Sequence, residues 1–215
     1  MKLVLHNYWR SSASHRVRIG LGMKGLEYEY VIVNILKREQ NADSHLARNP
    51  MAQVPALEIT EDDGTMRCLT QSLPILEYLE ERWPERTPLL PRDLYLRARC
   101  RSLAEIVNSG IQPMQNLTTM KTIKAFGGDE AVWPKSFIAD GLAAFARVAA
   151  EVAGKFCVGD EPSIADCCLI PQLAGARRFG VDIAKHTLLL GIEERCLALP
   201  AFANAAPDRQ PDAVK

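Results

Sequence analysis

Leu3-Val4-Leu5 is a short apolar run that predicts a first strand. The stretch after Arg10 changes to a helical period as far as Lys24, with Gly25 placed to end the helix. Tyr28 to Val33, rich in aromatic and β-branched residues, predicts a second strand. A strand, a helix and a strand in that order imply two parallel strands joined by a right-handed crossover. Lys37 to Arg48 is polar with sparse apolar positions, a weak helix or loop that ends at Asn49-Pro50. Val54 to Ile59 predicts a third strand, and the turn at Asp63-Gly64 leads into Met66 to Leu69 as its antiparallel partner. Gln71 to Leu79 starts another helix, with Ser72 as its cap and Pro74 in the first turn, and Trp83-Pro84 stops it. The predicted order is βαβαββα around a four-stranded mixed sheet. Pro55 cannot donate to a ladder, so it belongs at the start of its strand, and it is the candidate for a cis peptide bond.

After Pro88-Leu89-Leu90-Pro91 the strand pattern disappears. Leu96, Cys100, Leu103, Val107 and Ile111 line one face of a long helix, and Ile138, Leu142, Phe145, Ala149 and Val152 line another, with Gly127-Gly128 between them. Ser163-x-x-Asp166 is a capping box opening an apolar helix that Pro171 should interrupt near Cys167. The tail after Pro207 is polar and is expected to fray or lie along the surface. The chain therefore reads as α/β plus all-α, with a first domain over 1–84, a linker over 85–92 and a helical bundle over 93–215.

Charge changes this picture by exclusion. The 26 basic and 26 acidic residues balance without a Lys/Arg block, which argues against a nucleic-acid surface or a polybasic membrane anchor and favours small-molecule partners. No apolar run reaches the roughly 18 residues of a membrane span, and no secretory signal pattern opens the chain, so a cytoplasmic location is expected. The six cysteines lack Cys-x-x-Cys spacing and read as reduced and mostly buried, and no metal site is visible.

The candidate chemistry lies in Arg10-Ser11-Ser12-Ala13-Ser14-His15-Arg16-Val17-Arg18. Serines at a helix start meet unpaired N–H groups and the positive end of the helix dipole, which favours a bound thiolate, carboxylate or phosphate. Arg10, Arg16 and Arg18 add to that field. N-capping by one serine is the competing explanation, and spacing leaves both open.

Taken with Asn49-Pro50-x-x-Gln53-Val54-Pro55, Gln71-Ser72, Gln112-Pro113-x-Gln115-Asn116-Leu117, Ile164-Ala165-Asp166-Cys167 and Arg178-Phe179, this stretch resembles the zeta class of glutathione transferases, from end to end. That class includes the maleylacetoacetate and maleylpyruvate isomerases. The resemblance implies a thioredoxin-like first domain, a helical second domain, a homodimer, and glutathione as cofactor. Ser11 and Ser12 would activate its thiol, within a cofactor-facing turn formed by Ser11, Ser12, Ala13, Ser14, His15 and Arg16. Val54, before Pro55, would pair its backbone with the cysteinyl moiety like an added strand. Gln71 and Ser72 would hold the γ-glutamyl end, with Gln40 and Gln53 near the tripeptide. Gln112, Asn116, Leu117 and Thr118 would approach from the helical domain.

The family reaction is cis to trans isomerisation of a maleyl keto dicarboxylate, by addition of the thiol to the double bond and its later elimination. Arg10 and Arg178 are the implied carboxylate clamps, with Arg177 in reserve. Ala13 stands where many maleylacetoacetate isomerases carry Cys. His15 stands where an aromatic is common, with a role as carbonyl polariser or turn cap. The sequence features are divided between the two substrates. Alternatives are a general transferase acting on electrophilic or α-halo acids, and a non-catalytic binding protein of the same fold.

Overall fold

The computed structural model describes residues 1–214. Strand β1 (Lys2–Asn7) runs parallel to β2 (Glu29–Ile32) and antiparallel to β3 (Ala56–Thr60), which pairs in turn with β4 (Met66–Thr70), giving the order β2-β1-β3-β4. Leu3 faces Ile59 and Leu5 faces Leu57 across the ladder, and all four are buried, so one face of the pleat forms a continuous apolar surface. Helix α1 (Ser12–Met23) connects β1 to β2, the short α2 (Asp43–Leu46) precedes β3, and α3 (Ser72–Arg82) follows β4. Gly25 ends α1 with φ +60°, where its N–H and that of Leu26 reach back to the carbonyls of Gly22 and Leu21. The expected βαβαββα order is the one found.

Three local expectations change. Ser72 is not the cap of α3 but its first residue; Gln71 takes the cap position with φ +69° and makes no side-chain cap bond. The expected continuous helix through Ile111 is α-helical only as α4 (Leu94–Glu105). It widens to a π-helical segment (Ile106–Ile111) and tightens to a 3-10 turn (Gln112–Gln115). Pro113 has no N–H with which to continue an α ladder, while the stripe Cys100, Leu103, Val107 and Ile111 stays buried throughout. Helix α7 (Ile164–Arg178), by contrast, continues through Pro171, because residues Ile164 to Leu173 are all buried and packing outweighs one lost backbone bond.

The chain forms two units, divided between Leu89 and Leu90 inside the expected linker. The helical unit contains α4, α5 (Leu117–Ala125), α6 (Val132–Ala149), α7 and α8 (Thr187–Leu197), with Ile138, Leu142, Phe145 and Ala149 of α6 fully buried. The expected extent of that unit, to residue 215, is corrected: the described residues from Pro200 to Val214, including α9 (Pro200–Ala205), group with the first unit, and residue 215 lies outside the described residues. The tail is held rather than frayed. Arg18 Nε donates to Ala205 O at 3.2 Å, and Asp212 accepts from Trp9 N and Tyr30 Oη. No helix among the described residues is long and apolar enough to cross a membrane.

Helix α1 crosses α3 at Gly20, where an added Cβ would penetrate the side chain of the fully buried Leu76. Gly20→Ala gains about 1 kcal/mol of helix propensity but overpacks this crossing at about 1–3 kcal/mol. Urea unfolding of Gly20→Ala should show a lowered midpoint at unchanged slope, and Leu76→Ala in the same chain should make the added methyl harmless.

Candidate active site

The ladder register assembles the site. His6 lies opposite Ala56, and Ala56 opposite Thr70. The residues that follow β1, precede β3 and follow β4 therefore leave the sheet at the same end. Tyr8, Val33 and Val54 form one apolar cluster there, packed against Trp9 and Ile35. Arg16 Nη1 donates to Ser72 Oγ at 3.1 Å, tying α1 to the start of α3, and Gln71 Nε2 reaches Gln53 Oε1 at 3.5 Å.

At the start of α1, Ser11 is the N-cap and its Oγ accepts from Ser14 N at 3.2 Å. Ser11 N is bonded to Tyr8 O, and Ser11 O accepts from His15 N. Among the described residues, nothing accepts the N–H groups of Ser12 and Ala13. Two unpaired donors on a helix of 12 residues thus stand beside two half-buried serine hydroxyls. The Ser11 hydroxyl can accept the capping bond and still donate its own hydrogen. Of the two alternatives left open by spacing, the cap is seen directly, and the turn leaves the Ser12 and Ala13 donors unpaired beside it.

The second wall is the Val54-Pro55 loop, whose peptide bond is cis as expected. Among the described residues, no hydrogen bond engages the Val54 backbone, while the Gln53 carbonyl just before it accepts from both His45 Nε2 at 2.9 Å and Asn49 Nδ2 at 2.8 Å. Glu58 anchors this region to the sheet by bonding His6 Nε2 at 2.6 Å and Arg48 Nε at 2.8 Å, and these contacts hold its carboxyl below the usual range despite partial burial. Sequence reasoning passed over His45, Asn49 and Glu58. Asn49 was visible as part of Asn-Pro-x-x-Gln-Val-Pro, whereas His45 and Glu58 gave no local signal.

The other candidates of the first unit differ in their surroundings. Ser14, His15 and Arg16 are buried behind the turn. Arg18 adds nothing to an anion site. Its guanidinium is buried and donates to Asn7 Oδ1, the Tyr8 and Trp9 carbonyls and Ala205 O. Arg10 remains at the surface against the Trp9 ring, with 5.7 Å from Cζ to the centroid. Gln40 is half-buried, and its Oε1 has no partner among the described residues.

In the helical unit, Asn116 caps α5 by accepting from Thr118 N, with Leu117 and Thr118 exposed beyond it. Gln112 is half-buried in the 3-10 turn. Arg177 forms a bidentate pair with Glu193 at 2.5 Å on each arm and so is committed to a structural role, while Arg178 is exposed and stacks on Phe179 at 5.0 Å.

A four-stranded mixed sheet, a cis-proline loop and an open helix start at the same sheet end are the parts of a thioredoxin-like domain. Residues 1–81 match the family model for the glutathione S-transferase N-terminal domain. The chain is 47% identical over 211 residues to a maleylacetoacetate isomerase of Rhizobium meliloti (strain 1021), covering 96% of each chain. It is 42% identical over 217 residues to a maleylpyruvate isomerase of Ralstonia sp, covering 98% of this chain and 99% of that one. It superposes at a TM-score of 0.91, with 52% identity over 99% of this chain and 98% of the other, on the crystal structure of a maleylacetoacetate isomerase from Anaeromyxobacter dehalogenans 2CP-1 with bound GSH in its active site. The chain belongs to the zeta-class glutathione transferases, the family of the maleylacetoacetate and maleylpyruvate isomerases.

His15 is held neutral, its pKa pushed down to about 3 by burial and then by the Arg18 charge. Below its ordinary value of 6.5 the unfolded chain takes up a proton that the folded chain refuses, so stability falls as pH drops from 6.5 toward 3. This residue should account for about 2–3 kcal/mol of the stability lost between pH 7 and pH 4.5. Urea midpoints measured across that range should fall less steeply in His15→Asn than in the parent protein.

Proposed function

We propose that the protein is a glutathione-dependent cis-trans isomerase of a maleyl keto dicarboxylate, maleylacetoacetate or maleylpyruvate, acting in the degradation of aromatic compounds. The observation that carries the reading is the α1 start, where the unpaired N–H groups of Ser12 and Ala13 and the hydroxyls of Ser11 and Ser12 stand at the same sheet end as the unpaired Val54 backbone. These residues suit glutathione: a strand-like partner for its peptide, hydroxyl donors for its sulfur, and the side chains of Gln71 and Ser72 for its γ-glutamyl end.

Glutathione, when bound, supplies a thiol whose addition to the activated double bond, followed by elimination, allows that bond to rotate. The protein's part is to hold the sulfur ionised. A thiol near pKa 8.5 needs about 2.7 kcal/mol of preference for the thiolate to drop by about two units. A hydrogen bond to a charged group contributes about 1.5–3 kcal/mol and a helix N-terminus about 0.3–2 kcal/mol, so one serine hydroxyl and the α1 start suffice. No general base is required, and neutral, buried His15 does not serve as one. Arg10 and Arg178 are the residues this reading assigns to substrate carboxylates, as the family resemblance implies. The same reading takes the protein to be a homodimer working in the cytoplasm.

Incubation with each maleyl substrate should give the fumaryl isomer only when glutathione is present, at a constant glutathione concentration. Stoichiometric loss of glutathione would replace the isomerase with a conjugating transferase, and no turnover of any kind would leave a binding protein. The two serines separate by a stability measurement. Ser11→Ala should lose both rate and about 1 kcal/mol of stability with the cap, whereas Ser12→Ala should keep the thermal midpoint. Unchanged ionisation of bound glutathione in both variants would remove the hydroxyls from the chemistry.

A further inference from the structure

The turn that presents the serines has little structure of its own. Between β1 and α1 its one internal backbone bond joins Ser11 N to Tyr8 O at 3.0 Å. Beyond the helix cap at Ser11, Tyr8 and Trp9 are tied through their backbones by two further groups, Arg18 and Asp212. From α1, Arg18 donates to Asn7 Oδ1 at 3.0 Å, Tyr8 O at 3.4 Å and Trp9 O at 3.0 Å, and its Nε donates to Ala205 O in α9. From the end of the chain, one oxygen of Asp212 accepts Trp9 N at 3.0 Å while the other accepts the Tyr30 hydroxyl at 2.5 Å. Trp9 is thus held on both sides of its residue, the N–H by Asp212 and the carbonyl by Arg18.

Charge ties the two holders together. The Arg18 guanidinium is buried, which disfavours its charge, and the Asp212 carboxylate is a charge that favours it. Asp212 thus contributes to the stability of the buried cation without a direct bond to it, while both groups bond the Trp9 backbone. Alignment of donors to within a fraction of an ångström requires such rigid support, since a misplacement of about 1 Å can cost about 100-fold in rate.

We propose that Asp212 is a positioning residue for the thiol site: by clamping Trp9 N–H and Tyr30 Oη, it makes the C-terminal segment the support that holds the Ser11–Ser12 turn in register. This rests on the functional reading above only where glutathione is used as the probe.

The test compares Asp212→Ala, Asp212→Glu and the parent protein. In the free protein, hydrogen exchange at the Trp9 and Ser11 amides should accelerate in Asp212→Ala by about tenfold or more and return toward the parent rate in Asp212→Glu, which keeps a carboxylate. With glutathione bound, Asp212→Ala should show less thiolate absorbance at neutral pH and an acid limb of kcat/KM shifted upward, with kcat reduced more than glutathione affinity. Phe202→Leu, a truncation of the fully buried α9 residue, is the control for instability alone. It should lower the thermal midpoint and leave the thiolate absorbance in place. Should Asp212→Ala fail to fold, Tyr30→Phe removes one of the two partners of the carboxylate and should give the same changes in smaller measure. Parent-like exchange and ionisation in the folded variants would overturn the proposal, as would loss of thiolate from Phe202→Leu to the same extent. The exchange arm needs neither glutathione nor turnover, so it decides the role of the tail even if the isomerase reading fails.

Discussion

A guanidinium taken out of water costs several kcal/mol unless its donors are satisfied and a counter-charge is near, and Arg18 meets both conditions by gathering parts of the chain that lie far apart. Its acceptors are Asn7, Tyr8 and Trp9 at the end of β1 and Ala205 in α9, and the supporting carboxylate is Asp212. The end of β1, the body of α1 and the C-terminal segment are thereby fixed to one group. The serines at the start of α1 inherit their position from that assembly.

The start of α1 shows how little separates folding from chemistry in this protein. Ser11 caps the helix through Ser14 N, an ordinary stabilising contact, yet the cap leaves the N–H groups of Ser12 and Ala13 without partners. Such donors are available at a helix start, where the first N–H groups have no intrahelical partner. At the other two walls Gln71 adopts a positive φ, a strained conformation for a residue with a side chain, and the Val54 backbone lacks partners among the described residues. The His45, Asn49 and Glu58 contacts surround the cis-proline loop with well-made hydrogen bonds that keep the unpaired segment in place.

The helical unit is organised by different means. Asp166, fully buried in α7, accepts from Ser163 N, Ser163 Oγ and Cys157 N, so the expected capping box also pins the preceding loop. Burial raises its pKa, and those donors oppose the rise. The amides of Gln115 and Gln172 exchange hydrogen bonds at 2.9 and 3.4 Å, a closed pair that lets two polar side chains remain inside an apolar bundle.

Periodicity and turn chemistry, read in the sequence, determined the βαβαββα order, the helical second unit, the capping box at Ser163 and the position of Pro55, because each depends on neighbours within a few residues. The serines at 11 and 12 were legible for the same reason, and so was the resemblance they carry. Contacts across long separations were not legible. Nothing near Asp212 signals that it bonds Trp9, nothing near Arg18 distinguishes a buried structural cation from an anion clamp, and nothing in Arg177-Arg178 shows that the first pairs with Glu193 while the second stacks on Phe179. Such assignments follow from which groups packing removes from water together, and burial by distant segments is decided only when the tertiary structure forms.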